Sequence, residues 1–318
     1  MRTLSILAVG LCVAACSSPV TTPDTVLTEE EVQTVKPQQS LMSWQDLLSQ
    51  PMPSPDQTLQ TGAGATDLVD VWIPEGNGPH PTVIMIHGGC WQKSIADRTL
   101  MNYAADALRR EGMAVWNIEY RGVDEEGGGY PGTFLDVARA VDALGELGPS
   151  LGLNTERVAA FGHSAGGHLA LWAASRARIQ EGPLASESPF PIVAVLNSGG
   201  LADLEASAPV TQAGCLADIM DTLTGSPSAA RPDVFSDTSP SELLPAGVWA
   251  YSVNGAEDRI APATLGEGYT RNAQAAGDEA DVLIVPETGH VELVSPGTQA
   301  FEAETAILKD MVGLTIAD

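Results

Sequence analysis

The pentapeptide Gly162-His163-Ser164-Ala165-Gly166 sets a serine between two glycines. It directly follows an apolar run at 157–161 and directly precedes a helical pattern at 167–178. By itself the pattern arises often by chance as a glycine-rich turn of no function. Between a strand and a helix it reads as a hinge that holds the serine on a strained turn, its glycines letting the two elements pass without colliding side chains. The hydroxyl then stands near a helix N-terminus, where negative charge is favoured, and it suits nucleophilic attack on an acyl carbon. That chemistry needs N–H donors aimed at the developing oxyanion. A second motif, His87-Gly88-Gly89-Cys90-Trp91, follows the apolar run 83–86 and can supply them. The N–H groups of Gly88, Gly89 and Ala165 are the candidate oxyanion hole.

The general base follows by elimination among five histidines. His80 lies between prolines before the sheet begins, and His87 belongs to the glycine loop. His163 and His168 sit one before and four after the serine, too constrained by the hinge to approach its hydroxyl, and read as packing or polar lining. His290 remains, in a loop just after the run 281–285. A lone loop histidine is ordinarily a surface residue; the other motifs give this one a role. The acid is expected after the strand 247–253, in Asn254-Gly-Ala-Glu257-Asp258. Asp258 is the choice and Glu257, one residue out of step, the competitor, since a carboxylate there can fix the imidazole tautomer. Arg121 and Asp136 read as a structural pair supporting the oxyanion loop. Trp91 reads as core or as lining of an acyl pocket. A metal site has little support, because no carboxylate or cysteine cluster joins His163 and His168.

These side chains need a scaffold that gathers them, and the pattern from about residue 41 predicts one. Strands are expected at 70–73, 81–86, 113–120, 157–161, 191–196, 247–253 and 281–285. Helices are expected at 97–111, 133–147 and 167–178. Buried β-branched runs separated by helices imply a parallel sheet covered on both faces. Residues 197–246 form an insertion with a short helix expected at 215–224, either a small cap over the site or an elaborated surface loop.

HGGCW, Asn117-Ile-Glu-Tyr-Arg121, Gly162-His-Ser-Ala-Gly-Gly-His168, Asn254-Gly-Ala-Glu-Asp258 and Thr288-Gly-His290 together resemble the α/β-hydrolase superfamily. They are most similar to the hormone-sensitive-lipase-like carboxylesterases and to the branch with feruloyl and acetylxylan esterases and arylformamidases. Ser239-Pro240 with Leu243-Leu244 also resembles that branch, and the likeness runs from about residue 67 to the C-terminus. It implies an α/β-hydrolase fold, the chain order Ser164, Asp258, His290, and ester cleavage through an acyl-enzyme without a cofactor. The family often has a third glycine where this chain has Cys90; the amide is what matters there, so the departure is tolerable. Acetyl or feruloyl polysaccharide esters, N-formyl amides, and a non-enzymatic binding role on the same fold are the alternatives.

Residues 1–15 read as a signal peptide, with Arg2 followed by an apolar stretch. Val13-Ala14-Ala15-Cys16 resembles the bacterial lipobox, which implies cleavage before Cys16 and lipidation of its thiol; an ordinary secretory signal is the alternative. Ser17 in place of Asp favours an outer-membrane address in the bacterial envelope. Residues 16–40 read as a tether and 41–318 as the hydrolase domain. In an exported protein, Cys90 and Cys215 can pair or stay as free buried thiols. The chain has 318 residues, 44% of them hydrophobic, which suits a globular domain with a real core. Its formal charge of −26 repels phosphate backbones, so nucleic acid is a poor partner. A small-molecule or polysaccharide-linked ester and a lipid surface are the expected partners, and the oligomeric state is left open.

Overall fold

A computed structural model describes residues 40–314. The signal peptide, Cys16 and the tether up to residue 39 lie outside the described residues. The strands are β1 (Gln57–Gln60), β2 (Leu68–Trp72), β3 (His80–Ile86), β4 (Ala114–Ile118), β5 (Leu153–His163), β6 (Ala194–Ser198), β7 (Trp249–Gly255) and β8 (Ala280–Val285). They form one eight-stranded sheet in the order β1-β2-β4-β3-β5-β6-β7-β8. β1 and β2 pair antiparallel, β2 joins β4 antiparallel, and every later pairing is parallel.

The helices are α1 (Trp44–Leu48), α2 (Asn102–Arg110), α3 (Gly132–Leu147), α4 (Ala165–Ser175), α5 (Leu204–Ser207), α6 (Met220–Thr224), α7 (Thr264–Ala276) and α8 (Gln299–Met311). Alternation along β3 divides the core in two. Ile84 and Ile86 face a cluster that holds Phe134 and Val137 of α3, Leu169 and Trp172 of α4, and Tyr269 of α7. Val83 and Met85 face the other, with Leu47 of α1, Ala104 and Leu108 of α2, and Phe301 and Leu308 of α8. With both faces covered, the central strands are apolar throughout, which is why the sequence shows continuous runs there.

Each expected strand forms, with shifts at its ends that have local causes. The strand expected at 191–196 begins at Ala194, because Pro191 has no N–H to give a ladder. His80 opens β3 instead of preceding the sheet. The helix expected at 215–224 is confined to Met220–Thr224. Upstream the chain makes tight turns, Cys215 N–H to the Gln212 carbonyl and Ile219 N–H to Leu216 (both 3.1 Å), and Cys215 is held by a disulfide to Cys90. β1 carries no signal in the sequence, since Gln-Thr-Leu-Gln is largely exposed and has no apolar pattern. Helices α1, α5, α7 and α8 likewise lie outside the expected elements. Among the described residues no helix is long and apolar enough to cross a membrane.

Candidate active site

Parallel strands all end on one side of the sheet, and that edge is where such sheets place ligands. β3 runs out into His87-Gly88-Gly89, β5 into Ser164, β7 into the loop of Asp258 and β8 into the loop of His290. β7 and β8 are neighbours in register, Gly255 opposite Val285, so residues three and five positions further on can meet.

At the β5 hinge the steric argument is visible in distances. A Cβ on Gly162 would lie 2.0 Å from the carbonyl oxygen of Gly166, and one on Gly166 would lie 2.0 Å from that of Ile86. The glycines thus let α4 fold back on its own strand and crowd the end of β3. Ser164 itself has φ 56°, ψ −122°, a left-handed-side conformation that a non-glycine residue adopts at a cost. Its N–H donates to the Ser198 carbonyl at 2.9 Å, which ties the hinge to β6.

The imidazole Nδ1 of His290 lies 2.6 Å from Oδ2 of Asp258. The other Asp258 oxygen accepts from the N–H groups of Ile260 and Ala261 at 2.8 and 2.9 Å, so the carboxylate cannot swing away. Asp258 is buried, whereas Glu257 is exposed. Gly199, at the end of β6 with φ 53°, leaves room for the ring: a Cβ there would come within 3.2 Å of His290 Cε1 and Nδ1. With Nδ1 engaged by Asp258, Nε2 is the nitrogen free for a hydroxyl.

Ser164 and His290 line one cavity of about 280 Å³ together with Gly89, Cys90, Trp44 and Leu48. Ala165 is the first residue of α4, and Gly88 packs against the hinge, its Cβ direction 3.0 Å from Ser164 Cβ. The structure therefore gathers Ser164, His290, Asp258, Gly88, Gly89 and Ala165 at the same edge.

His163 and His168 take the structural parts expected of them. Burial, with His290 close by, drives the His163 imidazole well below its ordinary range; its Nε2 donates to the His290 carbonyl at 3.1 Å. Burial also pushes His168 down to about 4. Its Nδ1 accepts from the Trp91 indole (3.1 Å), so its Nε2 donates to the Thr238 carbonyl (2.8 Å). Trp91 is accordingly core and does not line the cavity.

Arg121 and Asp136 do form a two-pronged pair at 2.6 and 2.9 Å. That pair braces the turn after β4, where Thr133 also donates to the Arg121 carbonyl. This turn in its own right holds the glycine loop, Val123 N–H donating to the Trp91 carbonyl at 2.7 Å. The loop is held as well by Glu119, whose carboxylate accepts from His87 Nε2 at 2.8 Å and from Lys93 at 2.9 Å. Burial pushes the Glu119 carboxyl up, but those two donors outweigh it and hold it well below the usual carboxylate range. Glu119 lies inside the Asn117–Arg121 motif, so the signal was present; its partner His87, 32 positions away, was not deducible from spacing.

Two further contributors carry no motif. Trp44 of α1 sets its ring edge-on to both His163 and His290, with centroids 6.1 and 6.3 Å away. Residues 212–215 of the insertion line the cavity on another side. There Cys90 and Cys215 form a disulfide with Cα atoms 4.9 Å apart, which settles the open question of their pairing.

The fold has clear relatives. A truncated carbohydrate esterase from gut microbiota has a TM-score of 0.66 at 19% identity, with 80% of this chain and 95% of that one covered. Esterase B from Lactobacillus Rhamnosis (HN001) has a TM-score of 0.69 at 21% identity, with 83% and 88% covered. A bacterial heroin esterase has a TM-score of 0.62 at 24% identity, covering 79% and 80%. Comparison with curated proteins gave no sequence match. At these identities the likeness establishes the α/β-hydrolase fold. The BD-FAE family model matches residues 69–266, the stretch from β2 into α7 that carries the glycine loop, the serine hinge and the acid loop. On that match the chain belongs to the BD-FAE family.

Proposed function

We propose that this protein is a serine hydrolase of carboxylic esters, working through an acyl-enzyme with Ser164 as nucleophile. One observation carries the reading: Ser164, held on its strained hinge, shares a cavity with a histidine whose Nδ1 lies 2.6 Å from a buried carboxylate. His290 Nε2 takes the hydroxyl proton as the Ser164 oxygen attacks the acyl carbon. Asp258 holds the tautomer and balances the imidazolium. The N–H groups of Gly88, Gly89 and Ala165 face the oxygen that gains charge. His290 then protonates the departing alcohol, and the same nitrogen activates water to release the acid.

The small cavity suits a compact acyl group, with the alcohol side free to be a small molecule or a polysaccharide chain. The carbohydrate-esterase neighbour supports the polysaccharide version. Ser164→Ala is expected to leave a folded protein and to lower p-nitrophenyl acetate turnover by at least ~10³-fold, since triad members act as a unit. Turnover within tenfold of the parent would sink the assignment. Rates on acetylated xylan, feruloyl esters and simple acetates, compared side by side, rank the alcohols.

Export to an oxidising compartment is supported by the Cys90–Cys215 disulfide; lipid on Cys16 is the further part of that reading and rests on the lipobox resemblance alone. Palmitate labelling of the membrane fraction, lost in Cys16→Ser, tests it.

A further inference from the structure

The Cys90–Cys215 bond joins two segments 125 residues apart, and both its ends face the cavity that holds Ser164 and His290. Cys90 directly follows Gly89 in the oxyanion loop. Gly89, Cys90 and Trp91 take φ of 107°, 52° and 54° in succession, so two side-chain-bearing residues occupy backbone that favours glycine. This course must be imposed from outside the loop. On one side His87 is fixed by Glu119. On the other, Trp91 is fixed by its indole bond to His168 and by its carbonyl, which accepts from Val123 N–H at 2.7 Å. Cys90, between them, is held through its sulfur.

The far end of the bond anchors a short strap, residues 212–215. Its start is tied to the acid loop, Gln212 N–H donating to the Ile260 carbonyl at 3.2 Å, two residues beyond Asp258. Its end is tied to the oxyanion loop by the disulfide and by Gln92 Nε2, which donates to the Gly214 carbonyl at 3.2 Å. The strap thus bridges the loop of the acid and the loop of the oxyanion donors, beside the serine.

We propose that the Cys90–Cys215 cystine is a positioning element of the acyl-transfer site. It holds the amides next to Cys90 on their left-handed course and pins the strap as a wall of the acyl pocket. The inference rests on the esterase reading above. A cross-link that merely stabilised the fold would raise the melting temperature without touching the chemical step; a positioning one changes kcat and the affinity for a transition-state mimic.

The test compares the parent enzyme, Cys215→Ala, and the double variant Cys90→Gly with Cys215→Ala. Each is assayed for kcat and KM on p-nitrophenyl acetate and for inhibition by phenylboronic acid, whose serine adduct mimics the tetrahedral intermediate. Cys215→Ala is expected to lose kcat by tenfold or more and to weaken boronate inhibition by a similar factor, at a temperature where circular dichroism shows it folded. The double variant, in which glycine takes the φ at position 90 freely, is expected to remain below the parent. Treating the folded parent with tris(2-carboxyethyl)phosphine should reproduce the loss and leave Cys215→Ala unaffected. Parent-like kcat and boronate affinity in folded Cys215→Ala, in the double variant or in the reduced parent overturns the proposal. Failure of the esterase reading looks different: the parent itself is inactive, or Ser164→Ala is as active as the parent.

Discussion

The cavity beside Ser164 has two walls built on opposite plans. The strap at 212–215 has three exposed residues and buries one side chain, that of Cys215; a covalent bond to Cys90 and two hydrogen bonds hold it. The opposite wall, α1, has no covalent tie. Its Leu47 is fully buried in the core cluster that also contains Val291 and Leu293 of the histidine loop. Its N-terminal side is latched by Glu292, which accepts from Met42 N–H at 2.5 Å and from Gly289 N–H at 3.1 Å. Ser43 and Asp46 close a capping box on the five-residue helix, too short to persist alone. The wall that buries a large apolar side chain is secured by packing, and the mostly exposed one by a cross-link.

Three perturbations separate the two plans. Glu119→Gln strikes the glycine loop at 87–91, to which the strap is bonded, by breaking a buried charge network. A loss of about 3 kcal/mol in denaturant unfolding is expected. Because the folded-state carboxyl is depressed, its stabilisation is complete above the ordinary value of 4.5 and is lost as pH falls through the folded one. Melting temperatures from pH 7 to pH 3 should therefore fall less steeply in the variant than in the parent; equal slopes would remove Glu119 from the account.

Leu47→Ala attacks the packed wall and should cost about 2–3 kcal/mol. Much of that is local, so hydrogen exchange at α1 amides should quicken at least tenfold while amides at 212–215 stay as they were. Comparable quickening at the strap would mean that the walls are one unit. The smallest change is expected from Trp44→Ala, which trims the half-buried ring beside His290. KM for short-chain p-nitrophenyl esters should rise roughly fivefold, about 1 kcal/mol, with kcat within threefold and the preferred acyl chain longer. An unaltered chain-length profile would show that Trp44 does not bound the acyl site.

Some of this site was legible because its determinants are local. The glycines of the serine hinge and of the oxyanion loop encode backbone shape, and the sheet order delivers their ends to one edge. Asp258 against Glu257 needed coordinates: one step along a loop decides between a buried carboxylate bonded to an imidazole and a solvated one. The cysteines could be counted but not paired. Trp44, Glu292 and the strap had no spacing to betray them, because their contacts join segments far apart in the chain.

The sequence alone determined the periodicity of strands and helices and the glycine-flanked serine turn, since these follow from side-chain type and immediate neighbours. The tertiary structure decided which loop each acid serves, which cysteines meet and what bounds the cavity, because those depend on the paths that distant segments take across the folded sheet.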